Sequence, residues 1–153
     1  MGIGLEEVMT YRVTTEGPLE LTHGSPPGSR QFWAVTEAEI EGAEISAALA
    51  YAGGDWMEVS RDGHWRPDVR LQLRTDDGAA ILMSYTGLVE QTDAFKEAAS
   101  ADRETGWDDQ YMRMMVSFET GDERYRWLNE SIFVGRGRIL GTGRVEYTIY
   151  RLT

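Results

Sequence analysis

The 153-residue chain has no cysteine, only two histidines, no long apolar run and far fewer bases than acids, and each shortage removes a class of function. Without cysteine there is no disulfide framework, no thiolate nucleophile and no thiolate metal site, a composition that suits a reducing compartment. His23 and His64 stand in different loops and lack the spacing that puts two imidazoles on one helical face, so a zinc centre is not expected. The acidic pairs Asp76-Asp77 and Asp108-Asp109 do not follow a calcium-loop pattern, and no cofactor is implied. No stretch approaches the length needed to cross a bilayer, and Met1 to Glu7 has neither the basic nor the apolar region of a signal peptide. A cytoplasmic protein without a membrane partner is the expectation.

Acids outnumber bases by 26 to 15, giving a formal net charge of −11 that repels phosphate backbones, so nucleic acid is not an expected partner. Glu37, Glu39, Glu41 and Glu44 crowd one short stretch and read as a solvated strand face. Also missing are a Gly-x-Ser-x-Gly elbow, a phosphate-binding loop and a Gly-x-Gly-x-x-Gly opening a helix. Gly135-Arg136-Gly137 lies inside a strand pattern, where absent side chains indicate a bulge, a bend or something approaching closely. Any catalysis is left to carboxylates, phenols, guanidinium groups and amides, which limits it to proton transfer and electrostatic stabilisation.

What the chain does have is strand alternation, over Met9 to Val13, Gln31 to Glu41, Ile45 to Ala50, Pro67 to Thr75, Ala80 to Leu88, Arg113 to Phe118, Ser131 to Leu140 and Val145 to Leu152. Helical periodicity is confined to Thr92 to Ala101, with a further turn near Asp122 to Asn129, where Thr120 and Glu123 have capping-box spacing. Thr22 to Arg30, rich in glycine and proline, reads as a loop, and Gln91 to Tyr111 as the other large excursion. The seventeen glycines mostly separate strands, as in a sandwich or a barrel, and a barrel leaves no unpaired edge. The expectation is an all-β, single-domain antiparallel β-barrel over residues 1–153 with one or two short helices.

Asp77-Gly78 between two alternating runs is a strong hairpin signal. A two-residue turn there sets Asp68 opposite Gly87, Arg70 opposite Tyr85, Gln72 opposite Met83 and Arg74 opposite Ile81 on one face. That register brings a carboxylate, a guanidinium and a phenol together, and leaves Val69, Leu71, Leu73, Leu82, Ser84 and Thr86 on the other side. Five tryptophans and seven tyrosines supply flat walls with polar tips, and Met112, Met114 and Met115 an adaptable surface.

Gly53-Gly54-Asp55-Trp56, Asp68-Val69-Arg70, Arg74-Thr75-Asp76-Asp77-Gly78, Phe118-Glu119-Thr120-Gly121, Tyr125-Arg126-Trp127-Leu128-Asn129 and Phe133-Val134-Gly135 together resemble domain of unknown function 3237. The likeness runs from about Leu5 to Leu152. It implies a lipocalin-like antiparallel barrel, with motif positions at Asp55, Asp68, Arg70, Tyr85, Thr120, Trp127 and Asn129, some of them lining the cavity. Glu90 to Gln110 is longer and more acidic than that pattern, which points to a lid or substrate-specific loop.

Two readings of function follow. In the first, a cofactor-free enzyme rearranges an aromatic or polyketide-like small molecule by acid-base chemistry: cyclisation, isomerisation or dehydration. Asp68 is its base or cation stabiliser, Tyr85 its proton donor, and Arg70 or Asn129 polarises a carbonyl. Asp55, Trp56, Thr120, Trp127 and Asn129 are its ligand-binding residues. In the second, the barrel carries or senses a small-molecule ligand unchanged. A cavity dominated by aromatics and methionine favours binding, and a buried Asp68 within hydrogen-bond reach of Tyr85 favours catalysis. A homo-oligomer is compatible with either. The catalytic reading requires the charged side of the hairpin to face inward; facing outward, Asp68 and Arg70 are a solvent-exposed surface pair.

Overall fold

The computed structural model describes residues 2–22 and 28–153. Its strands are β1 (Leu5–Thr22), β2 (Gly28–Gly42), β3 (Ser46–Leu49), β4 (Gly53–Ser60), β5 (Trp65–Arg66), β6 (Asp68–Thr75), β7 (Ala80–Val89), β8 (Met112–Glu119), β9 (Phe133–Gly141) and β10 (Arg144–Leu152). One helix, α1 (Asp93–Ala101), follows β7, and a short 3-10 helix, Glu123–Leu128, follows β8. All ten strands belong to one antiparallel sheet. It passes from β1 through β10, β9, β8 and β7 to β6, continues through β3 and β4 to β2, and closes because β2 pairs with β1. Closure leaves the long first hairpin without an open edge along its paired length.

Alternation dictates what the barrel encloses. On β2 the acids Glu37, Glu39 and Glu41 point to solvent while Val35, Ala38 and Ile40 are buried. On β6 the buried residues are Val69, Leu71 and Leu73, and on β7 they are Ile81, Met83 and Tyr85. The glycines of β9 have a steric purpose: a Cβ at Gly135 would stand 2.5 Å from the Met114 side chain, and one at Gly137 would stand 2.7 Å from the Tyr147 ring. The missing side chains admit neighbouring side chains, not a nucleotide.

The register of the central hairpin differs from the expected one by a residue. Asp68 faces Thr86, Val69 faces Tyr85, Arg70 faces Ser84 and Arg74 faces Ala80. The loop is Asp76-Asp77-Gly78, longer than the two-residue turn, and Gly78 takes the left-handed conformation at φ 95°. Thr75 closes it: its hydroxyl donates to Asp77 (2.6 Å) and accepts from the Ala79 amide (2.7 Å). A one-residue slip turns every side chain of one strand relative to the other. Asp68 and Arg70 therefore face solvent, and Tyr85 faces inward with the aliphatic residues.

The sequence reading located the remaining strands, apart from β4 and β5, which glycines and charges disguise. Thr92 caps α1, accepting from the Phe95 amide (3.2 Å). The 3-10 helix is capped by Asp122, not by Thr120. Thr120 accepts instead from the Asp122 amide (3.2 Å) and donates to Ala80 (2.8 Å). Of the expected Thr22 to Arg30 loop, Thr22 and Gly28 to Arg30 are strand, with Thr22 paired to Arg30; residues 23–27, His23 among them, lie outside the described residues.

Candidate active site

A cavity of about 610 Å³ opens at the end of the barrel where β7 finishes and α1 begins. Trp33 and Trp65 form its upper walls, Met57 and Met112 its sides, and Tyr85 and Tyr147 its deepest polar lining. Phe95 of α1 leans edge-on against Trp65, with ring centroids 5.8 Å apart, so the helix borders the mouth. Two bonds fasten the C-terminal end of that helix to the β9–β10 turn: the Thr142 hydroxyl donates to Ala99 (2.5 Å) and the Thr142 amide to Asp102 (3.0 Å). The expected excursion beyond β7 is thus in part a wall of the cavity.

The one buried carboxylate among the described cavity-lining residues belongs to Asp55. Alternation on β4 explains its position, because Asp55 and Met57 point inward while Trp56 points out and is 43% exposed. Asp55 faces Val69 across β4 and β6, and Val69 faces Tyr85 across β6 and β7. Asp55, Val69 and Tyr85 consequently form one inward row over three adjacent strands. The carboxyl and the phenol flank Val69, their backbones roughly 10 Å apart at the usual strand spacing. That gap accommodates a reacting group between them.

Burial pushes the Asp55 carboxyl up from 3.8 to about 6. The Asp68 backbone amide, which donates to it at 3.0 Å, opposes the rise, the nearby Asp68 charge adds to it, and Arg30 weakly offsets it. Asp68 therefore contributes an N–H to the site, while its carboxylate is outside. Burial also raises the Tyr85 phenol well above 10, helped by the neighbouring Tyr11 and Tyr147, so it stays protonated. The Tyr11 and Tyr85 hydroxyls are 3.2 Å apart, and Tyr11 stacks on Tyr147 at 6.1 Å between ring centroids. At neutral pH the pocket holds an ionised carboxylate and neutral phenols, a base and proton donors.

Of the catalytic and ligand-binding residues named from the sequence, Tyr85 and Asp55 line this cavity, and of the methionine cluster Met112 does. Asp68, Arg70 and Trp56 lie on the outer face, where Trp56 packs edge-on against Phe32 (5.2 Å). Thr120, Trp127 and Asn129 stand at the opposite end of the barrel. There Thr120 and Asn129 exchange two bonds (2.9 and 2.7 Å), and Trp127 packs against Phe133. Tyr147 was not singled out, and its signal is the Gly135 and Gly137 pair that makes room for its ring. Among the described residues, no group of three or more His, Asp or Glu side chains is placed to hold a metal ion. No helix among them is long and apolar enough to cross a membrane.

The fold and site define a small antiparallel β-barrel with a ligand-sized cavity and one buried acid-base row. The chain belongs to the DUF3237 family, described as proteins of unknown function, whose pattern matches residues 3–152. A UPF0311 protein of Clostridium acetobutylicum is 28% identical over 129 residues, 84% of this chain and 82% of that protein. A β-barrel-like protein from Acinetobacter baumannii has a solved structure that matches with a TM-score of 0.84 and 29% identity, over 100% of this chain and 98% of that one. An enzyme from Penicillium herquei matches with a TM-score of 0.71 over 100% and 96% of the two chains, at 18% identity, a likeness of fold.

Proposed function

We propose that the protein is a cofactor-free enzyme that rearranges a small aromatic or polyketide-like carbonyl compound by proton transfer, as in isomerisation, cyclisation or dehydration. The observation that carries this reading is the inward row of Asp55 and Tyr85 at the bottom of an apolar, aromatic-walled cavity. A substrate carbonyl placed over Val69 receives a proton or a hydrogen bond from the Tyr85 hydroxyl while the Asp55 carboxylate removes a proton from the adjacent carbon. The product of that step is the enol. Return of the proton to a different carbon gives isomerisation. Attack by the enol carbon on a second carbonyl of the same molecule breaks that C=O π bond, whose oxygen takes the proton from Asp55, and gives cyclisation. Loss of a β-hydroxyl as water, protonated by Asp55, gives dehydration. In the last two the enol O–H proton returns to Tyr85 as the first carbonyl re-forms. Tyr11 holds the Tyr85 hydroxyl in place, and the walls exclude water, which strengthens the charge interactions.

The test is deuterium uptake from heavy water into enolisable aromatic ketones such as 2-tetralone, followed by mass spectrometry. The wild-type protein should accelerate exchange, with a rate that rises with pH through about 6 as Asp55 ionises. Asp55→Asn should abolish the acceleration while leaving ketone affinity within about an order of magnitude. Unchanged exchange in that variant contradicts the assignment.

The methionines and tryptophans of the walls favour a second reading, a barrel that carries or senses the same class of ligand without altering it. Tight binding of the ketones by wild-type protein with no exchange above the solvent rate would select it.

A further inference from the structure

Lys96 is the chain's single lysine, and it stands on the cavity rim. It projects from α1 next to Phe95, whose ring closes on Trp65. The rim also carries Arg144, on the β9–β10 hairpin, and Glu16, on β1. Arg144 is tied to Asp102 at 3.5 Å, and Glu97, beside Lys96 on the helix, is taken by Arg103 at 2.6 Å. Among the described residues no ion pair holds the Lys96 ammonium. In a chain of net charge −11, a free cation at the entrance of an apolar cavity is the feature that the acid-base chemistry does not use.

Charge is graded along the cavity. The buried carboxylate of Asp55 lies at depth, and at the mouth Lys96 and Arg144 outnumber Glu16, so an anionic ligand is repelled from the bottom and held at the top. Strand geometry gives the separation. β7 climbs from Tyr85 to Val89, which pairs with Trp65 at the level of α1, and four residues of strand span ~13 Å. A ligand of about two fused rings with a polar group at each end, hydrogen-bonded at both, bridges that length. We propose that the substrate is a bicyclic aromatic carboxylate, bound with its acid group on Lys96 at the mouth and its carbonyl or phenol end between Asp55 and Tyr85. The inference rests on the reading of the cavity as a substrate site, and it adds the substrate's class and its orientation.

Calorimetric titration with 6-hydroxy-2-naphthoate and with its uncharged amide tests it. Wild-type protein should bind the acid at least about tenfold more tightly than the amide, the equivalent of one good charge contact. Lys96→Met should bring the two ligands within about threefold of each other by weakening the acid alone, and Lys96→Arg should keep most of the preference. Lys96 is exposed, so neither substitution disturbs the core. Equal affinities in wild type, a preference that persists in Lys96→Met, or no binding of the acid at about 5 mM overturns the proposal. Asp55→Asn should retain the acid preference. The acid preference in the wild-type protein, together with no deuterium exchange above the solvent rate in that same protein, would reject the catalytic reading and leave the ligand class standing.

Discussion

At the residue scale, the site depends on burying a carboxylate without a cation in contact. Its folded-state titration near 6, against 3.8 in an unfolded chain, means that burial favours the protonated form. Asp55 therefore contributes stability that is fully present below about pH 4 and is lost as pH rises through about 6, a cost of about 3 kcal/mol for two pH units. Urea unfolding of Asp55→Asn compared with wild type should show the difference: the variant gains relative stability between pH 4 and pH 7, and the gap stays constant above. A gap independent of pH over that range would mean that Asp55 is not buried as an acid. Gly137→Ala is a second test at this scale, because the added methyl meets the Tyr147 ring and the Met112 side chain at under 3.0 Å. A loss of about 1–3 kcal/mol in urea unfolding is expected.

Elements decide which of these residues meet, and here sequence reading was half sufficient. The alternation of Val69, Leu71 and Leu73 with Ile81, Met83 and Tyr85 was visible, but Asp77-Gly78 suggests the commonest two-residue turn, and that choice sends Tyr85 to the wrong side. Requiring all the branched and aromatic residues on one face would have selected the three-residue loop that Thr75 and Gly78 build. Deleting Asp76 forces the shorter turn, so the variant must either expose the aliphatic face or lose the hairpin. It should fail to unfold cooperatively in calorimetry, and a wild-type melting profile would contradict the register argument. β4 is absent from the strands marked by alternation because Gly53 and Gly54 interrupt it, and yet the inward Asp55 beside the outward Trp56 puts a carboxylate inside the barrel. α1 was legible from its Thr92 cap and alanines, but its docking across the mouth was not, since that depends on Phe95 finding Trp65. Phe95→Ala should cost about 3–5 kcal/mol by urea unfolding and loosen ligand binding along with stability.

At the scale of the whole molecule, the barrel separates two tasks between its ends. One end is tied by the Thr75 loop, the Tyr125 hydroxyl on Asp77 (2.9 Å) and the mutual bonds of Thr120 and Asn129. Motif residues cluster there for closure, and the resemblance that carried them into view could not distinguish closure from binding. The other end, with α1, Trp65 and the β9–β10 turn, opens the cavity. Closure into a barrel was foreseeable from the even spacing of strands; the inward Asp55 was reachable only through the resemblance, and its burial as an acid not at all, because that burial is produced by neighbours from β6 and β7 that sequence separation hides.

The central claim is that a solvent-excluded Asp55 is poised as a base inside the barrel, and it can be measured without any substrate. Carboxyl carbon NMR titration of the isotopically labelled protein, with Asp55→Asn assigning the resonance, should give a midpoint at about 6. A midpoint at or below the ordinary aspartate value of about 3.9 would place that carboxylate in water or on a cation, and the account would be contradicted.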